Sequence, residues 1–167
     1  MALTVTVAST LTIAETLPTN TGSAVDAKRV VTHEAYNVAR TLTATTTPPV
    51  TTQASFLLTL SGGLATIDLR ELVGTNGASI DGNGLKVQEL RIRNLGADPM
   101  TFYEGATDGH NLFSVNSGAG VGGQVVFASG FAHLETYDHG DDISATTKTI
   151  DVIGTGSQTA EITIVMG

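Results

Sequence analysis

The strongest constraint on this chain is a period of two. In Leu3-Thr4-Val5-Thr6-Val7 the aliphatic residues fall on one side of an extended backbone and the threonines on the other. Successive side chains of a strand point to opposite faces, so this pattern marks a strand with one face buried. Ala65, Ile67 and Leu69 repeat it, and Ala160, Ile162, Ile164 and Met166 repeat it near the end. RTLTA, ASFLLTL, LKVQELRIR, MTFYE, GQVVFA, FAHLETY and KTIDVI read as further strands rich in β-branched residues. Turn residues separate them. Ser61-Gly62-Gly63 leaves a hairpin-length gap, and Gly154 to Gln158 leaves another. About ten short strands with turns every 8–12 residues imply an all-β sandwich or barrel. Helical pattern is confined to SAVDAKRVV after Ser23 and to Leu69-Arg70-Glu71-Leu72.

One strand breaks phase. In LKVQELRIR, Leu85 and Val87 share a parity while Leu90 and Ile92 have the other. A regular strand would turn half of these residues outward. A bulge near Gln88-Glu89 restores their facing, unless both faces are buried there.

Composition narrows the function classes. Charged residues make up 14% of the 167, against about 25% in an ordinary domain. Eight basic residues stand against sixteen acidic ones, a net charge of −8. Nucleic-acid binding releases counterions from many phosphates and needs clustered cations, so no nucleic-acid partner is expected. An anionic membrane surface is disfavoured for the same reason. There is no cysteine, which removes disulfides, thiolate nucleophiles and cysteine-ligated zinc. No apolar run approaches the roughly 20 residues of a spanning helix. The first fifteen residues lack a basic leader and alternate with threonine, so they read as a strand rather than a signal peptide.

The chemical candidates are weak. Asp81-Gly82-Asn83-Gly84 begins like a calcium loop, but Leu85, Lys86 and Ile92 occupy positions where ligands or glycine are required. Asn76-Gly77 and Asn83-Gly84 instead supply residues that tolerate positive φ, and the stretch reads as turns. His139, Asp141 and Asp142, with Asp138 and His133 near in sequence, offer imidazole and carboxylate but no second cluster of matching spacing. No nucleophile elbow is present, and His33, His110, His133 and His139 are scattered. Ser117 to Gly123 lacks the lysine and helix of a phosphate cradle. No catalytic residue, metal site or cofactor is therefore expected.

Residues 1–50 differ from the rest. They are rich in threonine and end at Pro48-Pro49, which cannot lie within a central strand. Two readings stand: a hinge between an arm (1–50) and a sandwich (51–167), or an edge strand entering one domain. The arm's apolar residues Leu3, Val5, Val7, Leu11 and Ile13, with Pro48 and Pro49 at the hinge, form the candidate interface. A lone two-stranded ribbon is marginal in water. The arm must fold back on its own sandwich or add to a neighbouring subunit, and the neighbour is favoured.

The run from Thr45 to Asn94, TTTPPVTTQASFLLTLSGGLATIDLRELVGTNGASIDGNGLKVQELRIRN, resembles small proteins encoded among the structural genes of tailed phages. GGQVVFASG and KTIDVIGTGSQTAEITIVMG resemble the same group. The resemblance covers about two-thirds of the chain, and its motifs are turns and strands. It implies a jelly-roll-like β-sandwich with an extended amino-terminal arm. It also implies a capsid decoration (cement) protein at the capsid surface of the virion, a homo-oligomer with the trimer favoured, whose partner is the major capsid protein. It defines no functional residues. The alternatives are a tail or collar component and a glycan-binding β-sandwich module, for which eight Phe and Tyr without Trp make a sparse platform. A hydrolase on the His and acidic loops is the remaining rival. If the two acidic loops are turns only, thermal melts with and without a chelator will coincide; a drop of many degrees would reveal a bound ion.

Overall fold

The computed structural model describes residues 3–16, 30–32, 36–74, 77–113, 123–136 and 140–167. The described residues form fourteen strands and no helix: β1 (Thr4–Leu11), β2 (Ala14–Thr16), β3 (Val30–Thr32), β4 (Tyr36–Thr43), β5 (Thr52–Thr59), β6 (Leu64–Asp68), β7 (Leu72–Val73), β8 (Ser79–Ile80), β9 (Val87–Asn94), β10 (Met100–Glu104), β11 (Gly123–Val126), β12 (Phe131–Glu135), β13 (Thr149–Ile153) and β14 (Thr159–Met166). Each run read as a strand from its alternation is one, and MTFYE is β10 residue for residue. The strands not foreseen, β2, β3, β7 and β8, have two or three residues each, too few for a period to show.

The helical expectations fail where they can be seen. Leu69 to Glu71 is a turn that leads into β7 at Leu72. Asp68 organises it: its Oδ1 accepts from the Arg70 amide at 2.9 Å and its carbonyl accepts from the Glu71 amide at 3.1 Å. Aspartate competes with helix in this way. Of SAVDAKRVV, Val30 and Val31 belong to β3, and the preceding residues lie outside the described ones.

Eight strands make the body, in two four-stranded antiparallel sheets ordered β12-β9-β14-β5 and β11-β10-β13-β6. Their pairing is nested. The first body strand pairs with the last (β5 with β14), the second with the seventh (β6 with β13), the third with the sixth (β9 with β12) and the fourth with the fifth (β10 with β11). A long antiparallel ribbon rolled on itself gives this order, which is the eight-stranded jelly roll. The fold is therefore all-β, a jelly-roll β-sandwich.

The core follows from alternation. Ala54, Leu90, Ile92, Ala160, Ile162, Ile164 and Met166 of one sheet share a cluster with Ile67, Met100, Phe102, Val126, Ile150 and Val152 of the other. The phase break also resolves. On β14, Val165 lies opposite Glu89 and Met166 lies opposite Val87, so Gln88 is the extra residue of a bulge. The bulge turns Val87, Leu90 and Ile92 all to the core, at 0%, 0% and 1% exposure.

Two glycine turns meet at one end. Gly63 has φ +86°, and a Cβ there would lie 2.8 Å from the Gly154 carbonyl oxygen. The amides of Gly63 and Gly154 donate to the Gly156 and Gly63 carbonyls at 2.7 and 2.8 Å, so the two turns hold each other. The neighbouring connections at the same end are organised by Asn94, which is fully buried and lies opposite Ala160 at the start of β14. Its Nδ2 donates to the carbonyls of Asp98, Val126 and Phe127 at 2.8, 3.1 and 3.2 Å, and its Oδ1 accepts from the Gly96 amide at 2.8 Å. One side chain thus ties the β9–β10 and β11–β12 connections. Asn94→Ala strands buried carbonyls and an amide, and it should cost about 2–3 kcal/mol in a denaturant titration.

Candidate functional site: the cleft beneath the amino-terminal hairpin

β1 and β4 form an antiparallel hairpin outside the jelly roll, with Val5 opposite Leu42, Val7 opposite Arg40, Ser9 opposite Val38 and Leu11 opposite Tyr36. Alternation puts Val5, Val7, Ser9 and Leu11 on one face with Leu42, Arg40 and Val38. At the hairpin's root this face is covered by the chain itself. Leu42, Val50 and Val165 form a buried cluster, and Leu3 and Val5 pack against it. The fold-back arrangement therefore holds at the root, and the cluster spans the 50/51 boundary drawn from Pro48-Pro49.

Toward the distal end the same face is bare. Leu11 is 58% exposed, Ile13 52% and Val38 49%. The candidate interface residues thus divide. Leu3 and Val5 are half-buried and Val7 is buried, while Leu11 and Ile13 are open to solvent. Pro48 is buried, and the exposed Pro49 offers its carbonyl to Gln88 Nε2.

Beneath the hairpin lies the outer face of the β12-β9-β14-β5 sheet. The bulge at Gln88 decides what points there: Glu89 and Arg91 face outward once Leu90 and Ile92 face in. Glu89 is nevertheless only 1% exposed. The register sets it directly opposite Glu135, and Arg91 opposite His133. Two carboxylates facing each other across strands repel. Three groups offset that repulsion. His133 Nε2 lies 3.4 Å and Arg91 Nε 3.7 Å from Glu89 Oε2, and Arg40 of the hairpin pairs with Glu135. An ion pair thus helps to join the hairpin to the body.

Between hairpin and sheet the structure leaves open space. A cleft of about 550 Å³ is lined by Ala8, Ser9, Thr10, Arg91, Phe131 and His133. A neighbouring one of about 370 Å³ is lined by Val7, Ser9, Val38, Arg40, His133 and Glu135. The arrangement offers hydrogen-bonding and charged groups around an apolar rim, which suits contact with another polypeptide.

The remaining sequence candidates are dispersed. Asp81 is held by Arg70, whose Nε and Nη2 donate to its two oxygens at 3.0 and 3.2 Å, and by the Asn83 amide at 2.9 Å. The Arg70 hydrogen bond, then the amide, holds the Asp81 carboxyl below its ordinary range. Gly77 and Gly84 have φ of +76° and +75°, as turns require. His110 is fully buried with Nδ1 3.3 Å from the Thr147 carbonyl, and burial pushes its imidazole below the usual value. His33, Asn76, Ser117 to Gly122 and the Asp138-His139 part of the acidic loop lie outside the described residues. Among the described residues no group of three His, Cys, Asp or Glu is placed to hold a metal.

Sequence reading missed Arg40, Glu89, Arg91 and Glu135. The available signal was the phase break: charged residues alternating with aliphatics in Glu89-Leu90-Arg91-Ile92-Arg93, just after the bulge.

No family model matches the chain. No curated protein matches it. Among solved structures, the coat protein of Tobacco streak virus matches at 14% identity and a TM-score of 0.38, over 69% of this chain and 85% of that one. The jelly-roll assignment rests on the strand pairings.

Burial, the largest effect, outweighs His133 and Arg91 and lifts the Glu89 carboxyl above its ordinary value of 4.5. A carboxyl raised in the folded state binds its proton more tightly there than in the unfolded chain. Its stabilising contribution is full below the unfolded value and is lost as pH rises through the raised one. Glu89→Gln should therefore melt above the wild type at neutral pH, and the gap should close toward about pH 4. A gap that is constant with pH would show that Glu89 ionises without penalty.

Proposed function

We propose that this chain is a non-enzymatic structural protein of a virus particle, of the kind that decorates and stabilises a capsid surface. The observation that carries the reading is the half-covered hairpin: one apolar face with its root buried on the body and its distal half bare. A rigid sandwich that holds out Leu11, Ile13 and Val38 has a ready means of gripping a neighbour. Exposed apolar surface of this kind marks interaction sites. The jelly roll is compatible with this role but does not define it, since capsid and lectin domains share the architecture.

In this reading the distal hairpin engages a second copy or the major capsid protein, and copies close into a ring, with the trimer favoured. The sequence resemblance to tailed-phage structural proteins supports a virion location at the capsid surface. A glycan-binding reading has one observation on its side: Phe127 and Phe131 are 71% and 76% exposed at one end of the sandwich.

Purified capsids lacking the protein provide the test. Wild-type protein should bind at a copy number comparable to the major capsid protein. Leu11→Asp combined with Ile13→Asp should weaken that binding at least tenfold while leaving the melting temperature unchanged, because both side chains are already in water. A few copies per particle would favour a tail or collar component. Clear hits on a glycan array, lost on Phe131→Ala, would favour the lectin reading.

A further inference from the structure

β5 is an edge strand without the usual guards. Among the described residues it pairs only with β14, over all eight of its positions. Its sequence, Thr52-Gln53-Ala54-Ser55-Phe56-Leu57-Leu58-Thr59, contains no charge, proline or glycine. Long uncharged edges pair with other chains unless they are short, charged, bulged or covered. The chain protects other edges better: β11 has four residues, and β12 carries His133 and Glu135.

The parity of the free side can be read. The Leu60 amide donates to the Gln158 carbonyl at 2.9 Å, in the same register that pairs Leu58 with Ala160. Antiparallel pairs alternate, so the even residues of β5 bond to β14. The amides and carbonyls of Gln53, Ser55, Leu57 and Thr59 then point away from it. A shallow groove of about 230 Å³ runs along this side, between Phe56, Leu57 and Leu58 and the β7 residues Leu72 and Val73. Leu57 is 59% and Val73 53% exposed.

We infer that β5 is a self-association edge, pairing antiparallel with β5 of a second copy across a two-fold axis. Two features choose a second copy as the occupant. A two-fold axis sets residues of β5 against other residues of the same strand, and β5 carries no charge, so the pairing desolvates none. The outward-pointing groups also match themselves. Pairing Gln53 with Thr59 and Ser55 with Leu57 of the second copy satisfies the free donors and acceptors. The same register sets Ala54 against Leu58, small against large, and Phe56 against Phe56 at the axis. The result would be a continuous eight-stranded sheet through both molecules. This contact is independent of the proposed role, since the edge exists whatever particle the chain belongs to. It is also separate from any ring closed by the hairpins.

The test uses the full chain and its lack of cysteine. Analytical ultracentrifugation should find an assembly with an even number of chains. Leu57→Pro removes an amide that does not bond to β14, and Leu57→Lys sets two cations across the axis. Each should halve the assembly mass with the strand signal in circular dichroism retained. Under mild oxidation Phe56→Cys should give a covalent dimer, and Leu64→Cys on β6, more exposed than Phe56, should not. A monomeric or odd-numbered wild type would overturn the inference, as would an unchanged mass in both folded Leu57 variants or equal cross-linking at both cysteines. Failure of the Leu11 and Ile13 variants to affect capsid binding would count against the hairpin reading alone.

Discussion

The last strand holds the sandwich together. β14 lies between β5 and β9 and pairs with both along nearly its whole length. Ile162, Ile164 and Met166 point into the core while Val165, of opposite parity, anchors the amino-terminal hairpin. The rolled ribbon closes only when this carboxy-terminal strand reaches the first body strand. Loop-closure entropy over most of the chain is spent before that contact is made. The hydrophobic gain on both faces of β14 is what offsets it.

The Gln88 bulge comes next in consequence. It keeps Val87, Leu90 and Ile92 on the core side, and by the same stroke sends Glu89 and Arg91 to the outer face. There Glu89 meets Glu135 head on, a poor arrangement for a bare surface. With the hairpin in place Arg40 pairs with Glu135, and Glu89 loses its water. A local backbone irregularity thus selects the chemistry of the cleft and makes the hairpin's seat sensitive to charge.

The surfaces left over are of two physical kinds. The distal hairpin presents side chains, Leu11, Ile13 and Val38, whose apolar area favours docking without dictating a register. The free side of β5 presents backbone groups, whose hydrogen bonds demand an extended partner in a definite register. The two surfaces therefore differ in what a partner must supply: apolar area at the hairpin, and an extended backbone at β5.

Much of the fold was legible in the sequence because a half-buried strand writes its facing into every second residue. The strands from Val5-Thr6-Val7 to Ile162-Thr163-Ile164, the turns at Gly63 and Gly84, and the bulge at Gln88 were all readable from local pattern. Leu69 to Leu72 misled because two leucines three apart fit a helix as well as a turn, and the hydrogen bonds of Asp68 decided between them. Periodicity says which way a side chain faces but not which strand lies beside it. The opposition of Glu89 to Glu135, the reach of Arg40 across to the body, the covered root and bare tip of the hairpin, and the open side of β5 are all consequences of pairing between residues far apart in the chain. The sequence alone determined a chain of amphipathic strands; only the tertiary structure decided the jelly roll, the cleft and the edge, because long-range register is set by closure of the whole sheet.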